Sequence, residues 1–363
     1  MKKILFVFGT RPEAIKLYPL IKLLKKNNNL FSVKICISSQ HKGLLKQVLR
    51  QLKIKVDYDL NVMTSNQKIE GLYGLIFNKL SKIIDREKPN LSIIQGDTIT
   101  AMSAAMISKL KKIKVGHVEA GLRTFDYSSP WPEEFSRTVI SNIADLNFCP
   151  TKINMKNLKK ENIKNTFLTG NTIVDSVKEI LKKNLSSNSK FENFLKKNYD
   201  SKINVFLTVH RRESFGKPIM DIFKAIKEIS KIKGVKIIYP IHPNPNIKKH
   251  AKILNKVKNI KLIKPLNYIE TLKILKKTDI IMSDSGGIQE ESSILNKKIL
   301  ILRNKTERPE ILGKNGILVG HNKKKIIFNF KKFLKSNLKG DNQHIFGNGK
   351  ASQKIVGIIK KHI

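Results

Sequence analysis

The segment KILFVFGTRPEAIK, residues 3–16, joins a short apolar run to a helical pattern through a single glycine. Residues 4–8 have the length and composition of a buried strand. Pro12 stands where a helix would begin, a position that favours proline because its missing N–H is not needed there. A strand, a glycine turn and a helix in this order are typical of a β-α unit.

The same alternation of short apolar runs and amphipathic helical patterns continues along the chain, and it predicts α/β architecture with parallel sheets. Two series of units are present, one on each side of a polar stretch at residues 184–202. The predicted strands are residues 4–8, 33–38, 91–95, 114–118 and 146–149, then 203–209, 235–241, 259–263, 279–283 and 298–302. We therefore predict two Rossmann-like, doubly wound domains that face one another across a cleft.

The length of 363 residues also fits about two domains of typical size. We place the N-terminal domain at residues 1–170, a hinge or linker at 171–202 and the C-terminal domain at 203–345. Residues 346–363 form a last helical pattern that is able to pack back on the N-terminal domain. Ligands of doubly wound sheets bind at the carboxyl ends of the strands, so we expect the site between the two domains.

Lysine accounts for most of the positive charge. The formal net charge is +43, with 71 lysine and arginine residues against 28 acidic ones, and the lysines are scattered over nearly every predicted helix. Such scatter indicates a compositional bias, so we predict no nucleic-acid partner. Arginine, whose planar fork grips phosphate or carboxylate with two bonds, is the more informative residue. The nine arginines are Arg11, Arg50, Arg86, Arg123, Arg137, Arg211, Arg212, Arg303 and Arg308.

Signals for membranes, metals and cofactors are weak. No apolar run approaches the ~18 residues of a membrane span, and residues 4–8 are too short for the apolar part of a signal peptide. We therefore predict a cytoplasmic protein without a membrane partner. Cys36 and Cys149 lack Cys or His at metal-ligand spacing, so we expect inert buried thiols and no metal site. The chain has no GxGxxG or P-loop motif, and we predict no cofactor.

Two glycine turns open predicted helices. The first contains Gly9 and is followed by Arg11 and Lys16, and the second is Ser285-Gly286-Gly287, with Glu291 one helical turn later. Free N–H groups at a helix N-terminus suit an anion, and adjacent glycines let the backbone approach a phosphate closely. A purely structural turn explains the first equally well. The second favours phosphate binding, with Glu291 placed to accept hydrogen bonds from ribose hydroxyls.

The segment GHVEAGLRTFDYSSPWPEEFSR, residues 116–137, concentrates carboxylates in one loop. Glu119 stands at the end of a predicted strand, and Glu133 stands at the start of the next helix. The loop between them could bring both carboxylates towards one site, although helix caps and solvated acids explain the same pattern. We expect supporting or structural roles for Arg123, Glu134 and Arg137, and a solvated side chain at Asp126.

Other strand ends also carry charge: Asp97, His210, His242 and Arg308 each follow a predicted strand. Each alone could be structural. Together with the segments above, however, the strand ends hold seven of the nine arginines and twelve of the 28 acids, which solvation does not explain. The residues therefore predict a nucleotide-like anion held between two domains, with carboxylates as acid and base.

These motifs together resemble the bacterial type of the non-hydrolysing UDP-N-acetylglucosamine 2-epimerase family. The matching segments run in order from residue 8 to 310: FGTRPEAIK, QGDT, GHVEAGLR, SPWPEE, HRRESFG, YPIHPNPN, SDSGGIQEE and TERPE. The resemblance implies a GT-B-like fold and a homodimer. It also implies reversible conversion of UDP-N-acetylglucosamine to UDP-N-acetylmannosamine, through elimination of UDP and a 2-acetamidoglucal intermediate, for surface polysaccharide precursors.

The resemblance also implies roles for individual residues. Asp97, Glu119 and Glu133 would be the acid/base set, and His210 would contact the diphosphate and assist in its protonation. The residues implied in substrate binding are Arg11, Lys16, His242, Ser285, Gly286, Gly287, Glu291 and Arg308. Activation by a second substrate molecule would involve Gln40, His41, Glu134, Arg211 and His242.

The sequence departs from the family at three positions. Thr271 stands where the family has an aromatic residue near uracil, and Gly43 and Gly74 replace longer polar side chains of the activating site. Four alternatives stay open. They are an epimerase for a modified UDP-sugar of the diacetamido-uronate type, a hydrolysing epimerase, a GT-B glycosyltransferase and, more remotely, a basic nucleic-acid-binding protein.

Overall fold

The computed structural model describes residues 1–39, 42–64, 67–128, 130–183, 189–199, 201–242, 244–336 and 344–363. The chain forms two compact units: unit 1 comprises Met1–Glu179 and Phe346–Ile363, and unit 2 comprises Ile180–Ile345. Gln40 and His41 lie outside the described residues, as do residues 184–188 and 200 of the predicted linker. The predicted domain boundaries stay a proposal.

Unit 1 is built on a parallel sheet. Its described strands are β1 Lys2–Phe8, β2 Phe31–Ile37, β3 Tyr58–Asp59, β4 Leu91–Gln95, β5 Lys114–Val118, β6 Leu146–Cys149 and β7 Thr166–Leu168. Its helices, apart from the C-terminal one, are α1 Arg11–Lys26, α2 Lys42–Gln51, α3 Ile69–Glu87, α4 Ile99–Leu110, α5 Glu133–Ile143, α6 Lys152–Lys160 and α7 Thr172–Lys182, whose last residues belong to unit 2. The strands lie in the order β3-β2-β1-β4-β5-β6-β7.

The core of unit 1 follows from the sequence pattern. Residues 4–8 of β1 are wholly buried, as expected of a parallel strand with helices on both faces. On α3, Leu72, Ile76, Leu80 and Ile84 recur every fourth residue, so one helix face enters the core with α4 and the sheet.

Unit 2 repeats the arrangement. Its described strands are β8 Ile203–Thr208, β9 Val235–Pro240, β10 Ile260–Ile263, β11 Ile280–Ser283, β12 Lys298–Ile301 and β13 Gly316–Leu318, in the sheet order β10-β9-β8-β11-β12-β13. Its helices are α8 Ser189–Asn198, α9 Lys217–Ile229, α10 Pro245–Ala251, α11 Tyr268–Lys277, α12 Gly286–Ile294 and α13 Lys323–Lys335. Short 3₁₀ helices cover Arg212–Ser214, Lys252–Leu254 and Pro309–Ile311.

The C-terminal helix α14, Ala351–His362, belongs to unit 1, where it packs against α1. Asp175 of α7 accepts the N–H groups of Ala351 and Ser352 at 3.3 and 2.9 Å. A carboxylate at a helix N-terminus stabilises both the unpaired N–H groups and the positive end of the helix dipole. This contact fixes the start of α14.

The strand order of both sheets is that of the doubly wound fold. In unit 1 the order reverses between β1 and β4, and in unit 2 it reverses between β8 and β11. Ligands of such sheets bind outside the carboxyl ends of the strands at this switch point. Gly9 and Gly96 follow the two switch-point strands of unit 1, and Val209 and Asp284 follow those of unit 2.

The predicted fold class, two Rossmann-like α/β domains, is confirmed. All ten predicted strands are present, and three short ones, β3, β7 and β13, were not predicted. Each of these three lies at a sheet edge and has two or three residues, too few to show a pattern. Cys36 and Cys149 are buried free thiols. In the part of the chain that the structure describes, no helix is both long and apolar enough to span a membrane.

Candidate active site

The glycine turn after β1 is closed by a side chain of its own helix. Gly9 N–H donates to Glu13 Oε2 at 3.0 Å, and Thr10 N–H donates to the same oxygen at 2.7 Å. Our expectation of free N–H groups at this turn is therefore wrong for Gly9 and Thr10, because a carboxylate of α1 already accepts them. Glu13 Oε1 accepts from the hydroxyl of Thr98, the N-cap of α4, at 2.9 Å. Glu13 thus connects the two loops of the switch point.

Glu13 is almost completely buried. Burial raises its pKa to about 7, even though the hydrogen bonds from Thr10, Gly9 and Thr98 act in the opposite direction. Arg11, the first residue of α1 and a predicted ligand, lies between Thr10 and Glu13 in this turn and is partly exposed.

Glu119 follows β5 with a φ of 71°, in the left-handed region that residues other than glycine seldom adopt. Its carboxylate accepts from Lys16 Nζ at 2.5 Å and from the side-chain amide of Gln95. Because the Lys16 and Glu119 side chains are 7% and 5% exposed, salt screens this ion pair little. The structure therefore places Lys16, predicted as a phosphate ligand, directly beside a predicted catalytic carboxylate.

Asp97, after β4, forms an ion pair with Arg137 of α5. The same guanidinium contacts Glu134 Oε2 at 3.1 Å. Glu134 in turn accepts the N–H groups of Thr124 and Phe125, each at 3.0 Å. Arg137 and Glu134 thereby tie the loop after β5 to both α5 and Asp97, which agrees with the supporting roles expected of them.

The unit 1 candidates converge on neighbouring strand ends. Gly96, next to Asp97, would place a Cβ atom 3.8 Å from Glu119 Oε2, so the Asp97 and Glu119 segments are adjacent. Glu133 is the first residue of α5 and is partly exposed. The contact between Arg137 and Asp97 was not predicted, because nothing in a linear sequence pairs residues forty positions apart.

Another residue missed by sequence reasoning is His117 of β5. Its Nε2 lies 2.8 Å from Gly96 O, and the side chain is fully buried. Burial lowers the pKa of His117 to about 4 and outweighs the hydrogen bond to Gly96. A neutral imidazole therefore links the strand that precedes Glu119 to the backbone that precedes Asp97.

In unit 2 a buried carboxylate also connects the switch-point loops. Asp284 Oδ2 accepts the N–H groups of His210 and Arg211, each at 2.8 Å, and the hydroxyl of Ser214 at 3.2 Å. Asp284 Oδ1 lies 3.2 Å from His210 Nδ1. The His210 ring stacks on that of His242, with centroids 5.6 Å apart. Both predicted histidines therefore lie together at the carboxyl edge of the sheet.

The second glycine turn differs from the first. Ser285 is the N-cap of α12; its own side chain makes no capping hydrogen bond, and its N–H donates to Ser283 Oγ at 3.0 Å. A Cβ atom at Gly286 would lie 2.7, 3.0 and 3.3 Å from Nη1, Cζ and Nη2 of Arg308. The guanidinium therefore lies flat against Gly286, and only glycine allows this approach. A guanidinium beside a helix N-terminus concentrates positive charge where an anion would bind.

Glu290 and Glu291 follow on α12, and both are buried. Glu290 Oε1 accepts from Arg308 Nε at 2.7 Å, so this acid orients the arginine. Glu291, the predicted ribose ligand, lies one turn into the helix. Among the described residues, no three His, Cys, Asp or Glu side chains group at a distance suited to a metal ion.

Two Rossmann-order sheets with charged switch points define a doubly wound α/β protein. A family model described as UDP-N-acetylglucosamine 2-epimerase matches residues 23–360. The chain therefore belongs to the UDP-N-acetylglucosamine 2-epimerase family, and the predicted family and enzyme class are confirmed.

Individual relatives support the same family. The UDP-N-acetylglucosamine 2-epimerase of Campylobacter jejuni is 39% identical over 99% of this chain and 98% of its own length. That of Escherichia coli K12 is 38% identical over 99% of both. The crystal structure of the Neisseria meningitidis UDP-GlcNAc 2-epimerase bound to UDP-GlcNAc aligns with a TM-score of 0.93 at 38% identity, over 99% of this chain and 100% of that one.

A Methanocaldococcus jannaschii UDP-GlcNAc 2-epimerase, solved in complex with UDP-GlcNAc and UDP, aligns over 99% of each chain. The TM-score is 0.87 and the identity 36%. The fold of these epimerases is GT-B-like. The GT-B-like class predicted from the sequence is thus confirmed.

Proposed function

We propose that this chain catalyses the reversible epimerisation at carbon 2 of UDP-N-acetylglucosamine to UDP-N-acetylmannosamine. The observation that carries the proposal is the pairing of Asp97 with Arg137 and of Glu119 with Lys16 at one switch point. A glycine turn with Arg308 against Gly286 at the other switch point supports it. Solved relatives that contain UDP-GlcNAc or UDP over the same fold give further support.

The proposed chemistry explains why the enzyme would need both a diphosphate site and acid/base carboxylates. The proton on carbon 2 has low acidity, and direct removal would be slow. If UDP leaves first, positive charge develops at carbon 1 and the neighbouring proton becomes removable, which gives 2-acetamidoglucal. Return of a proton to the opposite face of carbon 2 and of UDP to carbon 1 completes the inversion. The reaction therefore needs a cationic site for the diphosphate and carboxylates beside carbon 2.

Unit 1 would supply the acid/base groups. Asp97, Glu119 and Glu133 are the proposed set. Arg137 and Lys16 balance the charges of the first two and hold them in place. Preorganised carboxylates cost no reorganisation when the proton moves. The partly exposed Arg11, at the start of α1, is proposed to contact the diphosphate.

Unit 2 would supply the UDP site. Ser285, Gly286, Gly287 and Arg308 would hold the diphosphate, since a helix N-terminus and a guanidinium both favour an anion. Glu291 would accept hydrogen bonds from the ribose hydroxyls. His210, beside Asp284, would contact the diphosphate and assist in protonating it as it leaves. His242 is proposed as a further substrate contact that supports His210 by stacking.

We further propose that the product is a precursor of surface polysaccharides, and that the enzyme is a cytoplasmic homodimer. Activation by a second substrate molecule is a separate proposal. A Cβ atom at Gly43 or Gly74 would meet no atom within 4 Å, so the loss of longer side chains leaves room rather than a clash. Initial rates that depend sigmoidally on substrate concentration would support activation, and a hyperbolic dependence would contradict it.

The test is incubation with UDP-N-acetylglucosamine in deuterium oxide, followed by NMR. The expected result is UDP-N-acetylmannosamine with deuterium at carbon 2. Retention of the original proton would contradict the elimination mechanism. Release of free N-acetylmannosamine would indicate a hydrolysing enzyme, and turnover only of a diacetamido-uronate UDP-sugar would indicate the modified-sugar alternative.

A further inference from the structure

A series of alternating charges, buried except for its first member Glu213, lies beside the glycine turn of unit 2, and we name it the arginine–carboxylate chain. Arg303 Nε donates to Glu213 Oε1 at 2.7 Å. Its Nη1 and Nη2 donate to Glu307 at 2.8 and 3.3 Å. Glu307 Oε2 also accepts from Arg308 Nη1 at 3.4 Å, and Arg308 Nε donates to Glu290 Oε1 at 2.7 Å. The order is Glu213, Arg303, Glu307, Arg308, Glu290.

The arginine–carboxylate chain joins the loops of three neighbouring strands. Glu213 lies in the 3₁₀ helix after β8, Glu290 lies in α12 after β11, and the other members follow β12. β8, β11 and β12 are adjacent in the sheet. The same three loops carry His210, the glycine turn and Arg308, which are the proposed diphosphate ligands.

Arg303 is not placed to bind a ligand itself. Its side chain is 3% exposed, and its Nε, Nη1 and Nη2 atoms all donate to carboxylates. Arg308 is more exposed, at 10%, and lies against Gly286. Of the two arginines after β12, one is therefore internal and the other faces the proposed anion site.

Glu307 is the member that contacts both arginines. Burial opposes its ionisation, but the charges of Arg308 and Arg303 outweigh burial and hold the pKa of Glu307 well below its usual range. Glu307 thus separates two buried guanidinium groups that would otherwise repel one another.

We propose that the buried Arg303–Glu307 pair is a positioning unit that holds the Arg308 guanidinium flat over Gly286, in the orientation that grips the diphosphate of UDP. This inference rests on the proposed function. Without the charge of Glu307, repulsion from Arg303 would turn Arg308 away from Gly286 while leaving the other proposed ligands in place.

The experiment is a double-mutant cycle in which UDP binding is measured by ³¹P NMR titration. E307Q is expected to weaken binding about 10- to 100-fold, the loss typical of a charge-assisted contact. R308M is expected to weaken it by a similar or larger factor. If Glu307 acts through Arg308, adding E307Q to R308M changes the affinity less than about twofold. Equal losses in both backgrounds would overturn the proposal.

The matched control is E161Q in unit 1. Glu161 accepts hydrogen bonds from Nε and Nη2 of the buried Arg123 at 2.7 Å each, so the same change breaks a similar ion pair that includes none of the proposed UDP ligands. A lower melting temperature with unchanged UDP affinity is expected. If E161Q weakened UDP binding as much as E307Q, loss of stability would explain the effect and the proposal would fall.

R303K and E307D cover the case in which E307Q does not fold. R303K keeps the positive charge but loses the planar guanidinium group that bonds to two carboxylates. We expect an approximately tenfold loss of UDP affinity, and we expect no such loss in the R308M background. E307D, which keeps the charge, should bind UDP more tightly than R303K. UDP affinity equal to wild type in both variants would overturn the proposal. Because the readout is binding, a wild-type protein that binds UDP without epimerising the sugar would contradict the proposed reaction alone.

Discussion

The two units begin alike, with a strand and a glycine turn that opens a helix, yet the two turns are used differently. In unit 1 the N–H groups of Gly9 and Thr10 donate to Glu13 of the same helix. In unit 2 the side chain of Ser285 does not cap α12, the Ser285 N–H donates to Ser283 Oγ, and Arg308 lies against Gly286. A carboxylate of its own helix closes the first turn, whereas a guanidinium from a neighbouring loop lies against the glycine of the second.

The carboxylates show the same division. Of those at the unit 1 switch point, Asp97 pairs with Arg137 and Glu119 pairs with Lys16. Those around the unit 2 turn, Glu290 and Glu307, orient the guanidinium of Arg308. Under the proposed function, unit 1 would carry the proton transfer and unit 2 would hold most of the UDP. Changes in unit 1 should therefore alter turnover, and changes in unit 2 should alter affinity.

The largest expected effect is on turnover. E119Q should lower kcat about 1,000-fold, within the range for a general acid or base, while UDP affinity stays within about twofold. Steady-state kinetics and a UDP titration test this. E87Q is the control, because Glu87 pairs with Lys3 at 3.0 Å at the opposite end of the sheet, and kcat should not change. A loss of UDP affinity in E119Q as large as its loss of kcat would break the proposed division.

Next in size is the pH dependence of stability. With a folded pKa of about 7 against an ordinary 4.5, Glu13 holds its proton in the folded state at pH values where the unfolded chain has lost it. The free energy of unfolding therefore falls as pH rises from about 4.5 to 7, by on the order of 3 kcal/mol from this group. E13Q should remove that decrease.

Urea unfolding at pH 5 and pH 8 measures the effect of E13Q. The exposed Glu70, at the start of α3, offers a control with the same chemical change, and E70Q should keep the wild-type pH dependence. A difference between wild type and E13Q that is the same at both pH values would contradict the role given to the buried carboxyl.

The next effect concerns the space beneath Arg308. G286A places a Cβ atom 2.7 Å from Arg308 Nη1 and should displace the guanidinium. UDP affinity should fall about 10- to 100-fold in a titration. G357A, a helical glycine in α14 with no atom within 4 Å of its Cβ position, should leave UDP affinity unchanged. Wild-type affinity in G286A would show that Arg308 need not lie there.

The smallest expected effect distinguishes α11, whose N-cap side chain makes a capping hydrogen bond, from α12, whose N-cap side chain does not. Asn267 Oδ1 accepts Glu270 N–H at 3.0 Å at the start of α11, so N267A should lower the free energy of unfolding by about 1 kcal/mol. The Ser285 hydroxyl makes no such bond, and S285A should cost less than about 0.5 kcal/mol. Equal losses in urea unfolding would mean that Ser285 is an ordinary cap.

Much of the fold was predictable, because burial on both faces leaves a continuous apolar run in each central strand and the glycine turns mark where strands end. Edge strands such as β3, with two residues, were not predictable, since their pairing depends on a neighbour rather than on a local pattern. The sequence also indicated which candidate residues stand at strand ends. It did not indicate their hydrogen-bond partners, because the partners are far apart in the chain, as with Arg137 and Asp97 or Glu13 and Thr98.

The sequence by itself determined the two series of β-α units, the positions of the charged strand ends and, through the joint motif pattern, the family. The tertiary structure decided which charges meet. It paired Arg137 with Asp97 and Lys16 with Glu119, and it laid Arg308 over Gly286. The physical reason is that hydrophobic periodicity is local, whereas a buried polar group takes its partner from whichever element packing brings within hydrogen-bond distance.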